Sequence, residues 1–387
     1  MKVLMIVYTL YPFDARVQRE AETLVRDMGL EVEVLSLKEG SKPRCYTLRG
    51  VKVTELDESK YRGQGRIAYI LSYFKFMLLA FIKCSASFIR RTVDIVHVHN
   101  MPNFLVFSAM IPRLFGKPLI LDLHDSVPET FGAKFNRHSS WLFKALCIEE
   151  KVSCKIVQHL ICVNHIQQDI IISRGLPLDK ITILLNVPDP NWFSNNDVAG
   201  KHVNKNGFKI VYHGTITKRL GVDLAVTAMH KLKSEIENLE FDVWGAGEAR
   251  DECIQLSESL GVADIVHFYL PLPIEVLAKK LTSMDLGVIP NRNSAATDLM
   301  LPVKLLEYVA LGIPVVAPRL KAIQYYFRED MVSFYEPENV DSMAKAILRL
   351  YENPSLRKEQ AEKAKAFLDK YGWEKHKYDL INIYKQL

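Results

Sequence analysis

Short, unbroken runs of valine, isoleucine and leucine constrain this chain more than any other feature. They fall at residues 3–8, 32–37, 95–99, 118–124, 159–163 and 181–185, and again at 209–213, 240–243, 265–268, 286–289 and 314–317. A strand that is apolar on both faces needs cover on both, and amphipathic segments such as residues 15–28 separate most of these runs. The expectation is an α/β chain with parallel sheets between layers of helices. Residues 186–207, "NVPDPNWFSNNDVAGKHVNKNG", break the alternation with Pro, Asn, Gly and Asp and read as a linker. At 387 residues the chain is too long for one ordinary core. We therefore expect two α/β domains, residues 1–188 and 189–370, with a terminal helix at 371–387 that packs back on the first.

Charge and cysteine usage narrow the function classes. Fifty basic and 45 acidic side chains leave a net charge of +5. That is too mild for a dedicated nucleic-acid binder and suits an anionic small substrate or an anionic membrane surface. Six cysteines, Cys45, Cys84, Cys147, Cys154, Cys162 and Cys253, are scattered without a C-x-x-C pair. This points to reduced thiols in a cytoplasmic setting, with no structural zinc. The opening "MKVLMIVYTLYPFDAR" lacks the small-residue cleavage site of a signal peptide and reads as a buried first strand. Residues 66–91, "RIAYILSYFKFMLLAFIKCSASFIRR", are apolar with Lys75 and Lys83 inside. One reading is a helix covering the sheet; the other is a helix lying in a membrane interface.

The stretch that points to chemistry is "DLMLPVKLLEYVALGIPVVAP", residues 298–318. Proline suits the first helical position, so a helix is expected from Pro302 to near Leu311, capped by Gly312. The amides of Val303 and Lys304 then open the helix, and with the dipole they form an anion site to which Lys304 adds a full charge. Glu307 lies about 7–8 Å further along the axis, roughly the span from a diphosphate to its ribose. A carboxylate there can accept from both ribose hydroxyls; the alternative is a solvated glutamate paired with Lys304. Two further loops follow strand runs. "VYHGTITKRLGVDLAV", residues 211–226, offers Gly214 for close backbone approach, with Lys218 and Arg219 for phosphate. "FDVWGAGEARDE" offers Gly245 and Gly247.

Taken in order, "HGTITKRLGVDLAV", "VWGAGE", "VIPNRNSAATDLMLPVKLLEYVALGIPVVAP" and the late "YGWE" resemble the retaining glycosyltransferases of family 4. The resemblance implies the GT-B fold, two Rossmann-like domains with parallel sheets facing a central cleft. It also implies a nucleotide-diphosphate sugar held by the second domain, a glycan or lipid-linked acceptor held by the first, and no metal. On that basis Gly214, Thr215, Lys218, Arg219, Gly245, Val303, Lys304 and Glu307 are expected at the donor. His124, in "LDLHDSVPE", matches a histidine that faces the reacting sugar and joins Arg219 and Asp298 as a catalytic candidate. The sequence departs from the family at three places. Leu299 stands where many members carry a second glutamate, with Asp298 beside it; Thr215 stands where many carry arginine; and "YTLYPFDARVQRE" has no glycine.

In the first domain Tyr11, Asp14, Arg16, His99 and Asn100 are expected to line the acceptor end. Asp14 has a second reading as the N-cap of the helix at Ala15. His97 and His99, two residues apart, share one sheet face. Together with His124 and Asp125 they read as cleft lining, as core, or as metal ligands. The function expected is retaining sugar transfer in surface polysaccharide or glycoconjugate synthesis, with peripheral membrane contact through residues 66–91 as one reading of that helix. The alternatives are a nucleotide-sugar 2-epimerase of the same fold and a non-catalytic sugar-nucleotide-binding subunit.

Overall fold

The computed structural model describes residues 1–61, 66–135, 141–194 and 207–387. The chain divides into two compact units, residues 1–186 with 376–387, and residues 187–375. Most of the 186–207 linker, residues 195–206, lies outside the described residues.

The first unit is built on an eight-stranded sheet. Its strands are β1 (Lys2–Val7), β2 (Glu31–Leu37), β3 (Cys45–Leu48), β4 (Val51–Leu56), β5 (Ile95–His99), β6 (Leu119–Leu123), β7 (His159–Cys162) and β8 (Ile181–Ile183). The order is β3-β4-β2-β1-β5-β6-β7-β8. Every pairing is parallel except the β3–β4 hairpin. That hairpin was not expected from the sequence. Its turn places Arg49 (φ 49°) and Gly50 (φ 83°) in the left-handed region, as a two-residue type I′ turn requires. β5 and β6 are buried at every position, and so is β1 after Lys2, which explains their unbroken apolar runs. The helix Trp373–Gln386 carries residues 376–387 into this unit, where Tyr384 bonds His97.

The second unit holds a six-stranded parallel sheet in the order β11-β10-β9-β12-β13-β14. These strands are β9 (Phe208–His213), β10 (Leu239–Trp244), β11 (Val266–Tyr269), β12 (Leu286–Val288), β13 (Val315–Pro318) and β14 (Ser333–Tyr335). The strand order reverses between β9 and β12, and between β1 and β5 in the first unit. Open parallel sheets bind ligands beyond the carboxyl ends of strands at such switch points. In the second unit that rule selects the loops after His213 and after Val288.

The helix Arg66–Ile89 has two apolar faces. Ser72, Phe76, Ala80, Cys84 and Ser87 are buried, while Ile67, Ile70, Leu71, Phe74, Leu78 and Ile82 are exposed. By length and composition alone, Ile67–Ile89 is long and apolar enough to cross a membrane.

Candidate active site

The helix Val303–Ala310 anchors the site in the second unit. Pro302 is its N-cap rather than its first residue, with ψ at 124°, and Gly312 closes the far end at φ 65°. Leu305, Leu306, Tyr308, Val309 and Ala310 bury one face. Tyr308 fixes the seating. Its ring lies over Gly287 of β12 so closely that a Cβ there would fall 2.3 Å from the ring. This packing turns the neighbouring polar residues toward the end of β9. The Glu307 carboxylate lies 3.1 Å from Nε2 of His213, with both side chains mostly shielded. Lys304 Nζ stands 3.8 Å from the centroid of the Tyr212 ring, and a Cβ on Gly214 would be 3.4 Å from it.

Lys304 is the unusual group. The residue as a whole is half-buried, but its Nζ is enclosed and has no hydrogen-bond partner. Burial pushes its pKa down to about 7; Glu307 opposes that shift and Arg219 adds to it. Other enclosed polar side-chain atoms without a partner gather on the same edge of the sheet. Among the described residues of this unit they belong to Thr217 in the loop beyond β9, Arg250 after β10 and Asn291 after β12. Proteins pair nearly all buried polar atoms, so orphans collected on one edge mark a place for a polar ligand or ordered water.

The loop after β9 is held from behind. Gly214 N donates to Trp244 O at 2.8 Å and Ile216 N to Ala246 O at 2.9 Å. A Cβ on Gly245 would fall 2.0 Å from Gly214 O, and one on Gly247 would fall 2.1 Å from Ile216 O. The G-x-G therefore admits a neighbouring loop, and Gly245 is itself buried. Arg292, which sequence reasoning missed, fastens the next turn. It donates to Lys218 O, its backbone amide bonds Arg219 O, and its guanidinium pairs with Asp223. The Lys218 and Arg219 side chains stay exposed and make no ion pair among the described residues. The signal was available: an arginine just after a strand-end proline, with an aspartate in the first turn of a nearby helix.

The first unit contains a buried ionic cluster at the ends of β5 and β6. Arg16 forks onto Asp122, with Nε to Oδ2 at 2.9 Å and Nη2 to Oδ1 at 2.8 Å. It also reaches Leu184 O and lies 3.1 Å from Glu20. Asp122 Oδ2 meets His124 Nε2 at 2.8 Å and His99 Nδ1 at 3.1 Å. Burial would raise the Asp122 carboxyl, but Arg16 and the two histidines outweigh it and hold it well below the usual range. Burial pulls His124 down; Asp122 more than offsets this and leaves it raised. Burial lowers His97 and His99, and raises Glu20 to about 8. Donor atoms of Glu20, His97, His99 and Asp122 lie within 4.8 Å of one another, a spacing able to hold a metal ion. Arg16 already bridges both carboxylates, however, and a divalent cation would face its guanidinium.

Comparison with known proteins settles the family. The profile for glycosyl transferases group 1 matches residues 194–367, and that for glycosyltransferase family 4 matches residues 15–192. The chain belongs to the group 1 glycosyltransferases. This glycosyltransferase is 22% identical over 375 residues to an uncharacterised glycosyltransferase of Methanocaldococcus jannaschii, covering 94% of this chain and 92% of that one. Its fold is that of sucrose-phosphate synthase from Thermosynechococcus elongatus, with TM-score 0.81, 14% identity and coverage of 100% and 98%. It is also similar to Anabaena HepE, solved in complex with UDP, with TM-score 0.74, 14% identity and full coverage of both chains. Those two likenesses establish the GT-B fold of two Rossmann-like domains.

Several expected site residues of this glycosyltransferase occupy other roles. Asp298 caps the helix Lys321–Tyr326, with Oδ1 accepting from Lys321 N at 2.8 Å and Oδ2 3.3 Å from Lys321 Nζ. Asp14 caps the helix Ala15–Met28 through Val17 N. Tyr11, Arg16, His99 and Asn100, expected at an acceptor surface, are all buried. Arg16 and His99 belong to the ionic cluster, and Asn100 accepts from His124 N and donates to Asn103 and Asp125 O. These residues follow strand ends, but the sheet turns them inward. Gly214, Thr215, Lys218 and Arg219 are exposed, Val303, Lys304 and Glu307 open the anchoring helix, and His124 is partly exposed.

The depressed Lys304 has a stability signature. Its folded pKa lies below the free lysine value of 10.5, so between pH 7 and 10.5 the unfolded chain binds more protons and stability rises with pH. Lys304→Met is expected to melt above the wild type at pH 7, with the difference shrinking toward pH 10. Thermal melts across that range check this; a variant that melts lower at pH 7 contradicts the enclosed ammonium.

Proposed function

We propose that the chain transfers a sugar from a nucleotide-diphosphate donor to a glycan or lipid-linked acceptor, with retention at the anomeric carbon. The supporting observation is the enclosed Lys304 Nζ, which has no hydrogen-bond partner. It sits at a helix start, with Glu307 one turn on and the Gly214 loop against it. A diphosphate fits that arrangement: the amides of Val303 and Lys304 are the ones a helix start leaves open, and the dipole favours an anion there. Glu307 is the acceptor for ribose hydroxyls, in exchange for its present contact with His213. Arg219 and Lys218, exposed and without ion-pair partners among the described residues, add charge as the leaving diphosphate develops it. These cations and amides take the part a metal plays elsewhere, so the transfer is proposed to need none. The UDP in the Anabaena relative supports this class of donor.

Asp298 bears on the mechanism. With both oxygens on Lys321 it is not free to attack the sugar. That supports attack of the acceptor on the face the diphosphate leaves, with no covalent sugar–enzyme intermediate.

A panel of nucleotide sugars and nucleoside diphosphates, read by thermal shift, tests the donor site. At 100 times its Kd a ligand of the native state adds about 2.7 kcal/mol, enough for a clear rise in midpoint. Glu307→Gln is expected to weaken the selected nucleotide about tenfold, and Arg219→Ala to cut turnover about 100-fold with the melt unchanged. No stabilisation by any member, or an Arg219→Ala variant of full activity, contradicts the assignment. NMR of the product reads the anomer; interconversion of the donor sugar without acceptor would instead favour a 2-epimerase.

The acceptor side is proposed to work at a membrane surface. The exposed stripe from Ile67 to Ile82 continues into Arg90 and Arg91, exposed at the helix end. An apolar face with basic flanks suits insertion into an anionic leaflet. Co-sedimentation with liposomes that grows with anionic lipid and is lost in Leu71→Glu/Leu78→Glu is expected; sedimentation equal to that of an inert protein contradicts it.

A further inference from the structure

Asp122 sits where no substrate can touch it, fully buried at the end of β6, yet it organises His124, the partly exposed histidine of this cluster. Its Oδ2 takes His124 Nε2 at 2.8 Å, and its two oxygens take the Arg16 fork. The fork matters because a carboxylate held at both oxygens cannot rotate away from the imidazole. Asn100 fixes the backbone of the same residue, accepting from His124 N at 2.6 Å. Ring and backbone are thus both tied, and Nε2 is engaged. Nδ1 is the only ring nitrogen left for an outside group.

We propose that Asp122, clamped by Arg16, is a positioning residue that commits Nε2 of His124 to a buried carboxylate and so leaves Nδ1 to meet a sugar or phosphate oxygen, to which it donates while the ring is cationic. The inference rests on the glycosyl-transfer reading for its use, but its geometry stands apart from it. A buried carboxylate accepts and does not donate, so Nε2 keeps its proton in either charge state of the ring. Nδ1 carries a proton only while the ring is cationic. His124 accordingly donates at lower pH and becomes an acceptor once it loses that proton. The groups around it are Asp122 on β6, His97 and His99 on β5, and Asp14, Arg16 and Glu20 on the Ala15–Met28 helix or its cap. Tyr384 of the C-terminal helix closes the far side of His97. Asp122 and Asp14 favour the cation and Arg16 opposes it, while burial keeps His97 and His99 neutral. Asp122 is the contact that prevails.

Histidine NMR on the substrate-free protein, with the His124 signal assigned by its loss in His124→Gln, reads the device directly. In the wild type the His124 midpoint is expected above 6.5, and in Asp122→Asn about one pH unit or more lower. With the nucleotide sugar selected by thermal shift, kcat/KM is expected to fall as pH rises through the His124 midpoint. That fall should move by the same amount in Asp122→Asn. An unchanged His124 titration in Asp122→Asn overturns the proposal. So does a titration that moves while the pH profile stays in place, an outcome that leaves glycosyl transfer itself standing. Should Asp122→Asn fail to fold, Arg16→Lys keeps the charge but not the fork. It is expected to lower kcat about tenfold with KM for the nucleotide sugar and the His124 midpoint unchanged, and wild-type kcat would overturn the clamp. The titration needs no substrate, so its failure is distinct from any failure of transfer.

Discussion

A missing side chain governs the second unit. Only a glycine at 287 lets the Tyr308 ring lie against β12, and that contact sets the rotation and depth of the Val303–Ala310 helix. Once the ring is seated, Glu307 has to face the end of β9 and Lys304 has to run beneath Gly214 over Tyr212. The ammonium is thereby enclosed without an acceptor, an arrangement that costs the fold stability and favours an arriving anion. Such strained sites are common where a protein holds a polar group ready for a ligand. The loop over the lysine is equally constrained, because Gly245 and Gly247 bring the β10 loop into contact with it and Arg292 fastens the turn beyond.

The first unit solves the opposite problem. Its charged residues are paired inside: Arg16 meets Asp122 and Glu20, and Asp122 meets two histidines. Removing one partner of such a buried set typically costs about 3–5 kcal/mol, because the other charge is left without compensation. Burial keeps His97 and His99 neutral, so the cluster avoids a pile-up of cations around Arg16. What reaches the surface from this core is one edge of His124. A rigid interior with one partly exposed imidazole at its edge suits orientation of a group better than storage of charge.

The sequence disclosed the parallel sheets because their strands are buried on both faces and their helices are amphipathic. It hid the β3–β4 hairpin, whose first strand is short and mostly exposed and whose turn uses Arg49 in place of the usual Asn or Asp. β14 escaped because Ser-Phe-Tyr contains no run of valine, isoleucine or leucine. At the site, Pro302 and Gly312 punctuated the anchoring helix, and spacing along it placed Lys304 and Glu307. Spacing could not say which strand-end polar groups turn inward. Tyr11, Arg16, His99 and Asn100 all look available in sequence and are all enclosed, since their partners lie up to 168 residues away, as Leu184 does from Arg16. Asp298 shows the same limit: its partner, Lys321, begins a helix beyond the next strand.

The most direct measurement is a crystal structure of the chain with its best-stabilising nucleoside diphosphate, UDP being the first to try. The pyrophosphate should lie on the amides of Val303 and Lys304 with Lys304 Nζ turned to it, and both ribose hydroxyls should meet Glu307. Pyrophosphate bound away from that helix start, with Glu307 still against His213 and no ribose near, would contradict the account.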